Sequence, residues 1–317
     1  MMENSSGESL SEYTAHTLLD ILAPGSELIS ISVPDGSFSN FTHVVEACWK
    51  DGNHYKFVVR RYKVFGDYDR GEKAGREFKT FKLLNLHDLP APEALYLDET
   101  GEVLGMPGIV TRFVPGCLLL EAPSDPRAWA RKLARTLAKI HAIECSQEEQ
   151  AFLLKGNAEA VWFLKSDAPP PYMQEYPGGA EVWHTLRNHV SQLESVPPVL
   201  LHLDYWSGNI LWHEEEISAV IDWEEAAYGD PAVDVAYAYM NILLMDIPEA
   251  AYDFLHTYRS ETGRELSNLG FWELAASVRS MTDPVDWKVA ELAEPGATIL
   301  QNFIRHAKER VEARRNL

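Results

Sequence analysis

His202-Leu203-Asp204-Tyr205-Trp206-Ser207-Gly208-Asn209-Ile210-Leu211, followed a little further on by Ile221-Asp222-Trp223-Glu224, is the stretch on which the fold is decided. Short apolar runs frame it: Val199–Leu203 before the loop, then Ile210–Trp212 and Ile217–Ile221 after it. Glu214-Glu215-Glu216 reads as the exposed turn between the last two. Asp204 and Asn209 therefore fall on one loop, and Asp222 follows the returning strand of a hairpin that brings it back beside Asn209. Phosphoryl transfer asks for such a set. Magnesium takes oxygen ligands, one or two from protein and the rest from phosphate and water. A carboxylate must also stand where the attacking hydroxyl can give up its proton. The pattern assigns Asn209 and Asp222 to the metal and Asp204 to the base. Any one of the three alone would read as a turn residue, because Asp and Asn favour turns. The His-x-Asp-x4-Asn spacing joined to Ile-Asp-Trp-Glu is what carries the reading.

Upstream the texture is strand-like. Phe41–Trp49 and Tyr55–Val64 are rich in β-branched and aromatic residues with Asp51-Gly52-Asn53 between them, which predicts a hairpin. A small polar loop, Asp35-Gly36-Ser37-Phe38-Ser39-Asn40, precedes it, and Ser11–Leu22 predicts a short helix capped by Ser11. Glu72–Leu86 places Phe78, Phe81 and Leu84 at helical spacing and is stopped by Leu89-Pro90-Ala91-Pro92. Two short strands follow, near Ala94–Leu97 and Ile109–Phe113. After Val114 the pattern turns helical. Ser124-Asp125-Pro126 opens an amphipathic helix to about Ile143, a Pro-rich stretch (Ala168–Tyr176) precedes another near Ala180–Leu193, and Ala232–Leu317 reads as helices. A β-rich part before an α-rich part predicts an α+β protein of two lobes, 1–114 and 115–317.

Leu200–Tyr237 resembles the aminoglycoside phosphotransferase and choline kinase group of small-molecule kinases. Members share the two-lobed protein-kinase-like fold, with an Ile-Asp-Trp-Glu type segment in place of the Asp-Phe-Gly of protein kinases. Tyr228-Gly229-Asp230-Pro231-Ala232-Val233-Asp234-Val235-Ala236 is similar to the family's Gly-Asp-Pro-x-x-Asp segment, which buttresses the catalytic loop. The resemblance gives Asp230, Asp234 and His202 supporting roles; Asp230 before Pro231 also reads as a plain helix cap. Gly36 to Asn40 resembles the family's nucleotide loop, implicating Ser37, Ser39 and Asn40. Phe57-Val58-Val59-Arg60 occupies the place of the strand residue that grips the α/β-phosphates, and alternation puts Val58 and Arg60 on one face, which favours Arg60 over Arg61. Glu77 matches the helix glutamate that pairs with that residue. Thr111 to Gly116 resembles the hinge, so that Arg112, Phe113 and Val114 would receive the adenine. Leu203 stands where most relatives have Gly, and Arg60 binds phosphate as a fork rather than a point charge.

The implied activity is transfer of the γ-phosphate from ATP, with Mg2+, to a hydroxyl of a small molecule. ATP would lie between the lobes, Arg60 on its phosphates and Asp204 facing the hydroxyl. The expected acceptor is of the aminoglycoside type, because Asp246, Glu249, Asp253, Glu261, Asp283 and Asp286 offer carboxylates to amino groups. Macrolide, choline, homoserine or a sugar are alternatives, with Trp272, Trp287, Tyr252 and Tyr258 able to stack. A nucleotide-sensing pseudokinase would retain no need for all of Asp204, Asn209 and Asp222. A protein kinase would carry Asp-Phe-Gly and a long activation segment.

Composition sets outer limits. The 317 residues carry a net charge of −20, from 48 acidic and 28 basic side chains, which argues against nucleic acid or an anionic membrane as partner. No apolar run approaches the roughly 18 residues of a membrane span. Met1–Leu10 is polar, Met1–Gly7 reads as a loose leader with no signal-peptide pattern, and the expectation is a cytoplasmic protein. Cys48, Cys117 and Cys145 show no disulfide or zinc spacing and read as core thiols.

Overall fold

The computed structural model describes residues 9–34, 40–49, 52–63, 69–281 and 295–313. Ser37 and Ser39 of the small polar loop, the leader Met1–Gly7, Asp51 of the hairpin turn, and Asp283, Asp286 and Trp287 lie outside the described residues. The chain divides into two compact units.

The first comprises Met1–Gly116 and Ser218–Glu224. Helix α1 (Glu12–Leu22) starts at Ser11, whose Oγ accepts the Thr14 N–H at 3.0 Å, and it buries Ala15, Leu18 and Leu19. Five strands, β1 (Glu27–Ser32), β2 (Phe41–Cys48), β3 (His54–Arg61), β4 (Ala94–Asp98) and β5 (Gly108–Arg112), form an antiparallel sheet in the order β1-β2-β3-β5-β4. Strand β3 alternates as its sequence requires, with Phe57, Val59 and Arg61 buried and Val58 and Arg60 half-buried on the other face. Phe57 and Val59 join Val45, Ala47, Val110, Leu18 and Leu19 in one core, and each large side chain so buried contributes roughly 1.5–3 kcal/mol. Helix α2 (Arg70–Leu86) is capped by Asp69, which accepts from the N–H groups of Gly71 and Glu72. The segment Ser218–Glu224 is tied to this unit by the Val220 N–H, which donates to the Pro90 carbonyl at 2.8 Å.

The second unit, Cys117–Ile217 with Glu225–Leu317, is mainly helical. Its helices are α3 (Pro126–Ile140), α4 (Gln147–Phe152), α5 (Gly156–Glu159), α6 (Pro171–Glu175), α7 (Gly179–His189), α8 (Ala232–Leu244), α9 (Pro248–Thr262), α10 (Leu269–Ser277) and α11 (Gly296–Ala313). Two small sheets support the functional loop. Strand β6 (Cys117–Leu118) pairs antiparallel with β9 (Ile210–His213), while β7 (Leu154–Lys155) and β8 (Val199–Leu201) flank β11 (Ala227–Gly229). Strand β10 (Glu216–Val220) runs across the boundary of the two units. Helix α3 takes Pro126 into its first turn behind the cap Asp125 and buries the stripe Trp129, Leu133, Leu137 and Ile140.

Four expectations change here. Strand β8 ends at Leu201 rather than Leu203, because Leu203 adopts φ +66° and leaves the extended region. Asp253 and Glu261 already carry cationic partners: Arg127 and Arg131 pair with Asp253, and Arg135 pairs with Glu261. Trp272 and Tyr258 are core side chains, 1% and 0% exposed, so neither can stack on a ligand. Of the cysteines, Cys145 is buried, with burial and then Glu149 pushing its thiol up to about 11, whereas Cys117 is exposed on an edge strand. Among the described residues, no helix is long and apolar enough to cross a membrane.

Candidate active site

In the second unit the loop after β8 is held from below. Asp234, in the first turn of α8, is fully buried and accepts the backbone N–H of His202 at 2.7 Å and of Leu203 at 2.8 Å. His141 reaches the same carboxylate through Nε2 at 3.2 Å and meets the Tyr258 hydroxyl through Nδ1 at 2.7 Å. The His202 ring is itself buried, and its Nδ1 accepts the Asp204 N–H at 3.2 Å, which places the neutral ring's proton on Nε2. His202 therefore shapes the loop and is not turned outward. Asp230 works one layer deeper. Its carboxylate accepts the Ala232 N–H at 2.9 Å and, on the other oxygen, Asn268 Nδ2 and Trp272 Nε1 at 2.7 Å each.

Asp204 and Asn209 come together on this support. The Asn209 amide donates through Nδ2 to the Asp204 carbonyl at 2.9 Å and to Asp204 Oδ2 at 2.7 Å. With its amide nitrogen spent on Asp204, Asn209 keeps Oδ1 without a hydrogen bond among the described residues. Gly208 lets the Trp206 ring lie against the loop, since a Cβ there would strike that ring. Asp204 Oδ1 is met by Arg279 Nη1 at 2.9 Å, and the Arg279 guanidinium lies over the Tyr237 ring.

The first unit gathers a second set of charges. Arg60 makes ion pairs with Glu77 (Nε–Oε2 3.3 Å), with Asp222 through Nη2, and with Glu224 (Nη2–Oε2 3.3 Å). Burial alone would lower the Arg60 pKa, but Asp222, Glu77 and Glu224 outweigh it and raise the value well above normal. Glu77 is 1% exposed and accepts from the Tyr62 hydroxyl and from the Trp223 N–H (3.1 Å); burial pushes its carboxyl up while Arg60 draws it down. Glu224 accepts from Asn40 Nδ2 at 2.6 Å and pairs with Lys73 at 3.3 Å, and Arg76 Nη1 donates to its carbonyl at 2.6 Å. Arg61 lies over the Phe41 ring on the opposite face of β3.

Asp222 sits at φ +69°, a conformation that Asp tolerates better than most residues. At the hinge, the Arg112 and Phe113 N–H groups are already spent on the carbonyls of Glu93 (2.9 Å) and Lys56 (3.0 Å). Arg112 is exposed and pairs with Glu93. Of the three hinge positions this leaves Val114 as the one whose N–H has no acceptor among the described residues.

Against this geometry stand the comparisons with known proteins. A family model described as the phosphotransferase enzyme family matches residues 40–268. The chain belongs to that family. Acyl-CoA dehydrogenase family member 10 of Mus musculus is 26% identical over 189 residues, which is 51% of this chain and 16% of that protein. The chain spans between 16% and 30% of the length of the acyl-CoA dehydrogenase family members that it matches. Hygromycin-B 4-O-kinase of Escherichia coli is 30% identical over 161 residues, 47% of each chain. Among solved structures, a spectinomycin phosphotransferase in complex with ADP and spectinomycin aligns at a TM-score of 0.58 and 14% identity, covering 95% of this chain and 97% of that one. That likeness is one of fold: the kinase-like fold with a β-rich N-terminal part and a mainly helical C-terminal part.

In this phosphotransferase several charged residues escape a reading of sequence alone. Glu224 stands beside a nominated residue but has no role of its own in the pattern. Lys73 and Arg76 carry no role in the sequence pattern, yet they are only 9% and 7% exposed. Arg279 follows α10 in a short 3-10 turn (Val278–Met281) and reaches a partner 75 positions away. A signal for Lys73 was available, since Lys73 and Glu77 are four apart on α2 and so share its inner face. None existed for Arg279.

Proposed function

We propose that this family member is an ATP- and magnesium-dependent kinase of small molecules, acting on a hydroxyl of an aminoglycoside-type, cationic acceptor. The observation that carries the reading is the Asp204–Asn209 pair on a loop whose backbone Asp234 holds. One carboxylate and one amide are fixed at 2.7 Å, the carboxylate suited to take a proton and the amide left with a single oxygen for a hard cation.

The residues fit magnesium. Among the described residues, no group of three or more His, Cys, Asp or Glu could enclose a metal. Magnesium asks for less than that, one or two protein oxygens with phosphate and water supplying the others. Asn209 Oδ1 and the Asp222 carboxylate are of the right type. When bound, the metal would neutralise charge on the phosphate oxygens.

Arg60, oriented by Glu77, would grip the α/β-phosphates, which offer its guanidinium a replacement for Asp222. Val114 would receive the adenine edge through its backbone, with Asn40 near the phosphates. Asp204 would accept the proton of the acceptor hydroxyl as it attacks the γ-phosphate. His202, Asp230 and Asp234 would hold the loop. Catalysis is then mainly positioning and charge stabilisation, as a loose transition state requires. The hygromycin-B kinase relative supports the acceptor class, and Asp246 and Glu249, both exposed, still offer carboxylates.

The test is an ATP-consumption screen with magnesium against aminoglycosides, macrolides, choline, homoserine and sugars, with Asp204→Ala beside the wild type. Turnover with an aminoglycoside, lowered about 10²–10⁴-fold in Asp204→Ala, is the expected result. A variant that keeps near-full turnover would remove Asp204 from the mechanism. A non-cationic acceptor as the sole hit would move the substrate class.

A further inference from the structure

Asp204 is held on both of its oxygens. Asn209 Nδ2 donates to Oδ2 at 2.7 Å, and Arg279 Nη1 donates to Oδ1 at 2.9 Å. Arg279 is in turn anchored at its other end: Nη2 donates to Glu225 Oε2 at 3.2 Å. The face of its guanidinium lies over the Tyr237 ring, 4.8 Å from the centroid. Two side chains of the second unit thus meet on one carboxylate, Asn209 from the functional loop and Arg279 from after α10, and Arg279 is itself held by Tyr237 on α8 and by Glu225 just ahead of β11.

We propose that Arg279 is a positioning residue for phosphoryl transfer, fixing the rotamer of the Asp204 carboxylate so that Oδ1 faces the acceptor hydroxyl. The inference rests on Asp204 being the base. A carboxylate held at one oxygen can still turn about its side-chain torsions, and with two opposed donors it cannot. Each carboxylate oxygen has two lone-pair sites, so the bond to Arg279 leaves Oδ1 one for the acceptor proton. Stability alone does not account for the arrangement. The Arg279 side chain is 36% exposed, and ion pairs at that exposure add little to folding. Geometry also suits arginine, because its rigid planar fork sends separate nitrogens to the two carboxylates, whereas a lysine would offer a single flexible ammonium.

Turnover and crystallography of the full chain test this, with ATP and hygromycin B as the probe pair. Arg279→Gln is expected to lower kcat by about 10–100-fold with KM for ATP unchanged, the scale of a small misplacement of a reacting group. Arg279→Lys is expected to recover part of the loss, and Glu225→Gln to lower kcat less, in the same direction. In an Asp204→Asn background, Arg279→Gln should cost nothing more, since it acts only through that carboxylate. Equal losses in both backgrounds would overturn the proposal. So would a crystal structure of Arg279→Gln with Asp204 in its wild-type rotamer, which decides the matter even if hygromycin B is not turned over. If Arg279→Gln does not fold, Glu225→Gln read in the same two ways decides instead. Asp204→Asn with wild-type turnover would instead defeat the assignment of the base, a result separable from any effect at Arg279.

Discussion

Asp234 accepts the backbone N–H of Leu203 at 2.8 Å while Leu203 holds φ at +66°. A leucine in the left-handed region costs roughly 1–2 kcal/mol. The anionic acceptor beneath it is what keeps the peptide there, since a charge-assisted bond to a buried carboxylate is among the stronger contacts available. Glycine would occupy the position without strain, yet the leucine side chain is itself 3% exposed and packed.

The magnitudes decide the sign of Leu203→Gly. Removing a buried leucine costs roughly 2–5 kcal/mol, more than the strain relieved. The variant is expected to be less stable by about 1–3 kcal/mol, measured by urea unfolding, with turnover falling little because Asp234 still fixes the loop. A more stable Leu203→Gly protein would show that strain outweighs packing.

Asp234→Asn should harm both stability and turnover. Two backbone N–H groups, of His202 and Leu203, each need an acceptor from this side chain, and an amide offers one oxygen. The second donor then faces an NH2. A loss of about 2–4 kcal/mol is expected, in line with leaving a buried donor unpaired and removing a charged acceptor. kcat should fall by about 10–100-fold as Asp204 loses its fixed height. An unchanged melting temperature would contradict the buttress.

How far the sequence reveals this molecule follows from which contacts are local. The helix caps at Ser11 and Asp125, the β2–β3 hairpin and the outward face of Arg60 obey short-range rules of capping and alternation, and each is readable from neighbours in the chain. The His202-to-Asn209 loop is legible for the same reason, because its chemistry lies within one turn. The partners of Asp253 were not legible. Its acidic character is visible in sequence, but Arg127 and Arg131 meet it only once α3 packs on α9. Glu224 and Arg279 were hidden likewise, since no periodicity links a residue to a partner on another element. The strand end at Leu203 was misplaced because an apolar residue at a left-handed position still looks like strand.

Glu224 should leave a signature in acid. Burial alone would raise its carboxyl, but Arg60, Lys73 and Asn40 outweigh that and lower it below its ordinary value. A depressed folded pKa stabilises the protein above the unfolded value of about 4.3, and that contribution is lost as pH falls through the folded value. Wild type should therefore lose stability more steeply than Glu224→Gln as pH is lowered from about 4.3, while being the more stable of the two at neutral pH. Chemical denaturation at a series of pH values measures this. Parallel curves for the two proteins would mean that Glu224 is not ionised in the cluster.

Asp222 provides the test of the metal. It shares Arg60 with Glu77 and Glu224, so in Asp222→Ala the guanidinium keeps two carboxylates and the first unit should remain folded. What the variant removes is a hard oxygen donor of the kind magnesium needs. Asp222→Ala is accordingly expected to bind metal-free ATP about as tightly as wild type, or tighter, since a negative charge near the phosphates is gone. The gain in affinity that magnesium gives the wild type should disappear, and turnover should be abolished. Isothermal titration with ATP, with and without magnesium, separates these effects from a general loss of binding. Magnesium-dependent turnover at the wild-type level in Asp222→Ala would take this residue out of the metal site and leave Asn209 to be tested in its place.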